Sequence, residues 1–514
     1  MAVHEWWETA APSAASRFVR RLGTGPEGWS QIAQDAAAAG GQLLALWATL
    51  PARPGDSATV RAAYLLDSGT LIVELSLEAA ETPCPGLESV FPAAARLQRA
   101  AFDMCGITFD APDRRPWLRH AAWPTDYFPL QPGIAPDPPV PTPADRYPFV
   151  RVGGDGIHEI AVGPVHASVI EPGHFRFSIV GEKVLRLEER LGYAHKGIER
   201  RFTELPSLEA HRLASRVSGD SAVAFSWAYC QALEGITQVT PPSRALWLRA
   251  LCLEIERIQN HLGDLGALGN DAGFAFGLAQ FSRLKEELLR TVGETMGQRY
   301  LLDAICPGGV SFDLTSDSIA QLSARLDLVE KAGIGLQQIY ADHSGLRDRF
   351  AGAGQVSLAL ARRLGLAGLA ARASGLVTDL RLDQPCRPYD ELQPVKCIRT
   401  EGDVDARVAV RFAELRESCH LCQRILAGLP AGATRNAVPV PAPGTFGIGL
   451  VEGWRGPVLV ALEPGPDGTI HRCYPHDPSR QNWLVLEHAI IDNIVPDFPL
   501  INKSFNLSYS GHDL

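Results

Sequence analysis

"SRALWLRALCLEIERIQNHLGDLG", residues 243–266, decides the fold class of most of this chain. Leu246, Arg249, Leu253, Glu256 and Asn260 recur at steps of three and four residues, the period of an amphipathic helix. Long segments of the same kind run from about Leu208 to Leu380, so the spacing predicts a helical bundle. Just upstream the period changes. In "HEIAVGPVHASV" (158–169) and "GHFRFSIVGEKVLRLEERLGY" (173–193) apolar and polar residues alternate, most clearly in "FRFSIV", which predicts short strands with a turn at Gly181. Downstream, "ARVAVRFAELRESCHLCQRILAGL" (406–429) predicts one more helix. It is followed by "GTFGIGLVEGWRGPVLVALEPGPDGTIHRCYP" (444–475), glycine-punctuated hairpin material around "GPDGT".

The strongest boundary is "QPGIAPDPPVPTPADRY", residues 131–147, whose six prolines forbid helix and predict an extended connector. Before it, "GQLLALWATL" and the pair "RAAYLL" and "TLIVELSL" around "DSGT" read as strands, and "GLESVFPAAARLQRAAFDMCGI" has helical spacing. The expectation is an α+β chain: a small α+β domain (1–130), the linker (131–147), and a mostly helical bundle flanked by small sheets (148–514). A chain of 514 residues with 46% hydrophobic content can bury more than one core. A net charge of −10 and no long basic run exclude a nucleic-acid binder, which needs clustered cations against phosphate. Ten dispersed cysteines predict free thiols in a reducing compartment, with the cytoplasm as default.

Taken one at a time, the reactive residues have plain structural readings. Cys419 and Cys422 share a helix face, but a structural zinc needs two more ligands, and no second CxxC exists; packed thiols are the expectation. Cys473 and His476 have no sequence signal that brings them there. His166 and His174, in the broken strand-turn-strand "GPVHASVIEPGHFRF", either line a cavity or cap a turn. "GYAHKGIER", with His195, Lys196, Glu199 and Arg200, suits a solvated helix start, and His261 suits a satisfied bundle histidine. Ser218 is placed to cap the helix that follows it.

In series the motifs say more. "GPVHASVIEPGHFRF", "GYAHKGIER", "EIERIQNHL", "CPGGVSFDL", "DLRLDQPCRPYD", "EGDVDARV", "VEGWRGPV" and "VPDFPLINKSFNLSYSG" stand in the order found in the large subunits of membrane-bound, energy-converting nickel–iron hydrogenases. They equally resemble the homologous 49-kDa-type subunit of respiratory complex I. "AFDMCGITFDAPDRRPWLRHAAWPTDYFPL" resembles the end of the complex I 30-kDa-type subunit, and such a fusion is typical of formate hydrogenlyase and hydrogenase-4 type large subunits. The resemblance covers about residues 35–514.

It implies a metal site that this chain has lost. Where the hydrogenases read R-V-C-G-I-C, this chain reads "RVSGDS" (216–221), and Ser508 and Gly511 stand at the second cysteine pair. Serine hydroxyls do not replace thiolates for soft metals at neutral pH, so no nickel, no metal and no cofactor is expected on this chain. In complex I the emptied cavity is implied to receive a quinone headgroup. His174 matches the histidine and Asp271 the aspartate thought to meet it, a pair in which the carboxylate keeps the imidazole a proton donor. The family's tyrosine falls at Gly219, leaving Asp220, Ser221 or Tyr509 as substitutes. The resemblance further places His166, Arg216, Ser218 and Arg455 at the pocket, with Glu452 preceding Arg455 at its expected place, and His195, Glu199 and Arg200 toward a cluster-bearing partner. It implies a small 4Fe–4S subunit, a ferredoxin-like subunit and antiporter-like membrane subunits as partners, holding the chain peripherally on the cytoplasmic face of the inner membrane. The alternative is a non-catalytic scaffold between the cluster subunit and the membrane subunits.

Overall fold

The computed structural model describes residues 3–13, 16–52, 57–77, 82–134, 147–167 and 170–514. The proline-rich connector therefore lies outside the described residues from 135 to 146. The N-terminal part is built on a five-stranded sheet in the order Ala11–Pro12, Val19–Thr24, Gly69–Leu77, Ala58–Leu66, Gln42–Thr49. Only Val19–Thr24 and Gly69–Leu77 run parallel. The alternating residues around "DSGT" form the expected hairpin, Ala58–Leu66 against Gly69–Leu77. The helix expected in "GLESVFPAAARLQRAAFDMCGI" is shorter than its spacing suggests, spanning only Ala94–Cys105. Pro92 has no N–H and disfavours helical geometry in the residue before it, and Gly106 closes the helix at φ 79°.

Both faces of this sheet are apolar. One packs under helices Pro26–Ala38 and Ala94–Cys105, burying Trp29, Tyr64, Val73 and Leu97. The other buries Leu44, Trp47, Ala63 and Ile72 against Ile448, Leu459, Ala461 and Tyr474. Those last residues belong to an antiparallel sheet of Gly447–Gly453, Gly456–Pro464 and Ile470–His476, the hairpin expected around "GPDGT" plus one more turn at Trp454-Arg455. The rings of Trp47 and Tyr474 stack at 5.0 Å, and Arg61 bridges Glu74 at 2.6 Å and Glu463 at 2.8 Å across the joint. A third sheet, Ile157–Val162, His174–Val180 and Lys183–Arg190, turns at Gly181 as its alternation requires.

Helices Ala222–Thr237, Ser243–Asp271, Ala275–Met296, Ser316–Asp342 and Val404–Gly428 form the bundle, with Ser243–Asp271 packed on Ala222–Thr237, Ala275–Met296 and Val404–Gly428. Gly449 lets the C-terminal sheet lie directly on Ala222–Thr237, because a Cβ there would stand 1.8 Å from the Ala228 carbonyl oxygen. Between 351 and 403 the chain makes only short helices, Leu358–Leu364, Gly368–Ala373, Leu380–Asp383 and Tyr389–Leu392, since Gly352, Gly354, Gly365, Gly368 and Gly375 take positive φ. Helices Ser479–Ala489, Phe498–Phe505 and Tyr509–Asp513 then bring the C-terminal residues back to the bundle. Fully buried arginines register these elements: Arg249 with Glu234 at 2.6 Å, Arg372 with Glu414 at 2.7 Å and Glu452 at 3.0 Å, and Arg411 with Asp264 at 2.9 Å. Among the described residues no helix is long and apolar enough to cross a membrane.

Candidate functional site

Residues 216–221 link the short helix His211–Ala214 to Ala222–Thr237. Ser218 does not cap the second helix as expected. Its first amides are satisfied from the long helix instead, Val223 N donating to Glu256 Oε2 at 2.6 Å and Ala224 N to Oε1 at 3.3 Å. Ser218 is thereby released to face the far end of the chain, where its hydroxyl meets that of Ser508 at 2.8 Å. Ser508 caps Tyr509–Asp513, accepting from Gly511 N at 2.9 Å. The two stretches that sequence singled out, 290 positions apart, thus meet side chain to side chain.

Asp220 and Arg455 occupy the same place. Arg455, on the turn between two strands of the C-terminal sheet, donates Nη1 to Asp220 Oδ1 at 2.8 Å, pairs Nη2 with Oδ2, and sends Nε to the Asn506 carbonyl oxygen at 2.6 Å. Its Nη1 also reaches the Ser221 hydroxyl at 3.4 Å. The guanidinium more than offsets desolvation and pulls the Asp220 carboxyl down to about 2. Ser218 adds a hydrogen bond of 2.7 Å to Asp220 Oδ1, and Trp454 Nε1 and Asn260 Nδ2 each donate to the Asp220 carbonyl oxygen at 2.8 Å. Gly219 is exposed beside them, and a Cβ there would meet nothing within 4 Å. A side chain at this position would stand in open space.

Sequence reasoning missed Asp477, Asn506 and Lys503. Asp477 is fully buried, and its Oδ2 lies 2.6 Å from the point where a side chain on Gly511 would begin. The signal was there in "HDPS", an aspartate before Pro-Ser whose Oδ1 accepts from Ser479 N at 2.8 Å. Asn506 Nδ2 donates to Asp264 Oδ1 at 2.7 Å, and Lys503 Nζ donates to Asn506 Oδ1 at 3.0 Å.

The other expected residues divide. Tyr509 is buried beside Trp483, ring centres 4.8 Å apart, and its ring stands 2.7 Å from the Cβ position of Gly173, next to His174. His174 opens its strand with its ring 5.1 Å from Phe149, and His166 Nε2 bonds the Gly173 carbonyl oxygen at 2.7 Å. Asp271, at the exposed end of the long helix, is acted on by Lys503 and Asn270; burial nevertheless leaves its carboxyl raised. Arg216 points away from the pocket, and its Nη2 donates to Asp303 Oδ2 at 2.9 Å on the surface. Glu199, expected to face a partner, is buried against Arg472 at 2.6 Å, because its helix turns that face onto the C-terminal sheet. Arg200 ties down the N-terminal part through the Pro129 and Ile134 carbonyl oxygens at 3.0 and 3.3 Å. His195 Nδ1 bonds the Asp513 carbonyl oxygen at 2.8 Å. Cys419 and Cys422 are buried thiols inside Val404–Gly428, raised by desolvation. Glu452 is committed to Arg372 and, at 3.2 Å, to Leu380 N.

Comparison with known proteins follows the two halves of this geometry. Residues 25–137 match the model of the respiratory-chain NADH dehydrogenase 30 kDa subunit, and residues 271–445 that of its 49 kDa subunit. One of the NADH-quinone oxidoreductase subunits of Koribacter versatilis is 30% identical over 292 residues, 57% of this chain and 73% of that protein. The chain belongs to the family of complex I 49-kDa-type subunits, fused to a 30-kDa-type domain. Hydrogenase subunits are similar to this chain as well. Formate hydrogenlyase subunit 5 of Escherichia coli K12 is 29% identical over 458 residues, 87% of this chain and 80% of that protein. A chain in the structure of the membrane-bound sulfane sulfur reductase, an archaeal respiratory membrane complex, shares the fold with a TM-score of 0.66 at 23% identity, over 70% of this chain and 99% of that one. As a 49-kDa-type subunit, the chain is a component of complex I-related oxidoreductase assemblies.

Proposed function

We propose that this subunit works without metal, passing electrons from a 4Fe–4S cluster of a small partner subunit to a quinone that enters beside Gly219. The observation that carries the metal-free reading is the Ser218–Ser508 hydroxyl pair beside the Asp220–Arg455 ion pair. Where the hydrogenases hold nickel and iron on four thiolates, these residues offer hydroxyls and a hydrogen atom, with Asp477 already against Gly511. They do not fit a thiolate-held metal. Support for the quinone reading is the opening at Gly219 and the proximity of His174 and Tyr509 through Gly173. His174 would donate a proton as charge builds on the quinone oxygen, and Tyr509, kept neutral by burial, would donate a hydrogen bond. The ferredoxin-like and antiporter-like subunits expected from the family would hold the chain peripherally at the cytoplasmic face of the inner membrane.

A quinone analogue titrated into the purified assembly tests this: saturable binding is expected, and full turnover of the assembly's other activities without binding would sink the reading. His174→Ala should lower quinone reduction by about tenfold to a hundredfold. Metal analysis finding stoichiometric nickel would overturn the metal-free reading. The second reading, a scaffold joining cluster and membrane subunits, is favoured by Asp271 answering to Lys503 and by Glu199 and Arg216 being spent on internal ion pairs.

A further inference from the structure

Two carboxyls stand on either side of the Ser218–Ser508 contact, and their surroundings treat them oppositely. Asp220 reaches the mouth, its side chain 36% exposed, and holds the Arg455 guanidinium through both oxygens. Asp477 lies at the closed end with no exposure. Its Oδ1 takes one amide, from Ser479, and its Oδ2 has no hydrogen-bond partner among the described residues. The cation in reach, Arg455, is committed to Asp220 and to the Asn506 carbonyl oxygen. A buried carboxylate oxygen without a donor is destabilised while ionised, which favours the protonated form of the group. Burial, joined by the negative charge of Asp220, raises the Asp477 carboxyl against the opposing pull of Arg455 and of the Ser479 hydrogen bonds.

The path between the two is built of hydroxyls. The point where a side chain on Gly511 would begin is 2.6 Å from Asp477 Oδ2 and 3.0 Å from Ser508 Oγ, so the two oxygens, which share no direct hydrogen bond, stand close enough for one bridging water. Ser508 Oγ meets Ser218 Oγ at 2.8 Å, and Ser218 Oγ donates to Asp220 Oδ1 at 2.7 Å. Ionised Asp220 only accepts, so each hydroxyl is polarised to donate toward the mouth.

We propose that Asp477 and Asp220 form a split carboxyl pair, the buried member a proton store and the exposed member its delivery point, joined through the Ser508 and Ser218 hydroxyls. Environments that push two carboxyls apart assign the acid and the base. This deepens the quinone reading and rests on it for the identity of the proton's destination. When the quinone has received two electrons from the partner's cluster, the Asp477 O–H bond breaks and its proton passes through the bridging water to Ser508. Ser508 passes its own proton to Ser218, Ser218 passes its own to Asp220, and Asp220 hands it to the quinone oxygen. The second proton is that of His174. After the quinol leaves, the chain reloads Asp477 from solvent at the mouth.

Glu256, pushed up to about 8 by burial, is the rival store, because it too sits within the field of Asp220. The test is infrared difference spectroscopy of the purified assembly titrated in pH without any quinone, on wild type, Asp477→Asn and Glu256→Gln. Loss of one protonated-carboxyl band in Asp477→Asn, with a different band lost in Glu256→Gln, is expected. A spectrum unchanged in Asp477→Asn would overturn the store. Ser508→Ala, in which Asp477 is intact, should keep the band and slow its deuterium exchange about tenfold or more. Unchanged exchange in Ser508→Ala removes the path, and this variant decides the matter if Asp477→Asn does not fold. Should the band behave as expected while wild type reduces no quinone analogue, the quinone reading fails and the carboxyl pair stands.

Discussion

At the scale of single residues, Arg455 and Asp220 decide what the pocket is. Removing one partner leaves the other with its charge unanswered, whereas the isosteric Asp220→Asn keeps shape and drops only the charge. Because the folded state depresses this carboxyl from 3.8 to about 2, its contribution is present above pH 4 and is lost as pH falls toward 2. Asp220→Asn should therefore cost about 1–2 kcal/mol at neutral pH, a figure reduced by the partial exposure of the side chain. That difference from wild type should vanish in denaturation curves taken between pH 4 and pH 2. The serines at 218 and 508 were legible as replacements, but not that they touch each other. Asp477 went unread because an aspartate before Pro-Ser signals a turn as readily as a buried acid.

Among elements, Ala222–Thr237 depends on another helix for its start. Glu256, one turn ahead of Asn260 on Ser243–Asp271, caps it from outside, a dependence that no local pattern announces. Glu256→Ala should cost about 1–3 kcal/mol by leaving two buried amides without an acceptor, while Glu256→Gln, which retains a carbonyl oxygen, should cost much less. Melting temperatures of the two variants compare them directly. The helices and strands themselves were readable because a period of 3.6 or 2 in apolar residues is a local property. Where glycines take positive φ, as from Gly352 to Gly375, the same apolar content yields only short helices.

For the whole molecule, the connector does not by itself hold the two halves together. They share a sheet-on-sheet joint in which Trp47 lies flat on Tyr474. Trp47→Ala should cost about 3–5 kcal/mol and make the N-terminal part more susceptible to proteolysis, measured as faster limited digestion. The interior also sets an acid limit. Burial holds His476 down to about 3 and His211 down to about 4, so both are neutral when folded and charge readily when unfolded. Their contribution is complete above pH 6.5 and is lost as pH falls below it, so stability should decline from pH 6.5 downward. His476→Gln, which has no proton to take up, should flatten part of that decline.

By itself the sequence determined the α+β class, the helical bundle, the hairpins and the family, because periodicity and ordered motifs are carried along the chain. It also determined that no thiolates stand at 218, 221, 508 and 511. Only the tertiary structure decided which residues share a pocket. Contacts such as Ser218 with Ser508, Asp220 with Arg455, and Asn506 with Asp264 join positions hundreds of residues apart, and are fixed by how helices and sheets pack. The same packing turned Glu199 inward and Arg216 outward, since the face a side chain presents depends on its neighbours in space and not on those in sequence.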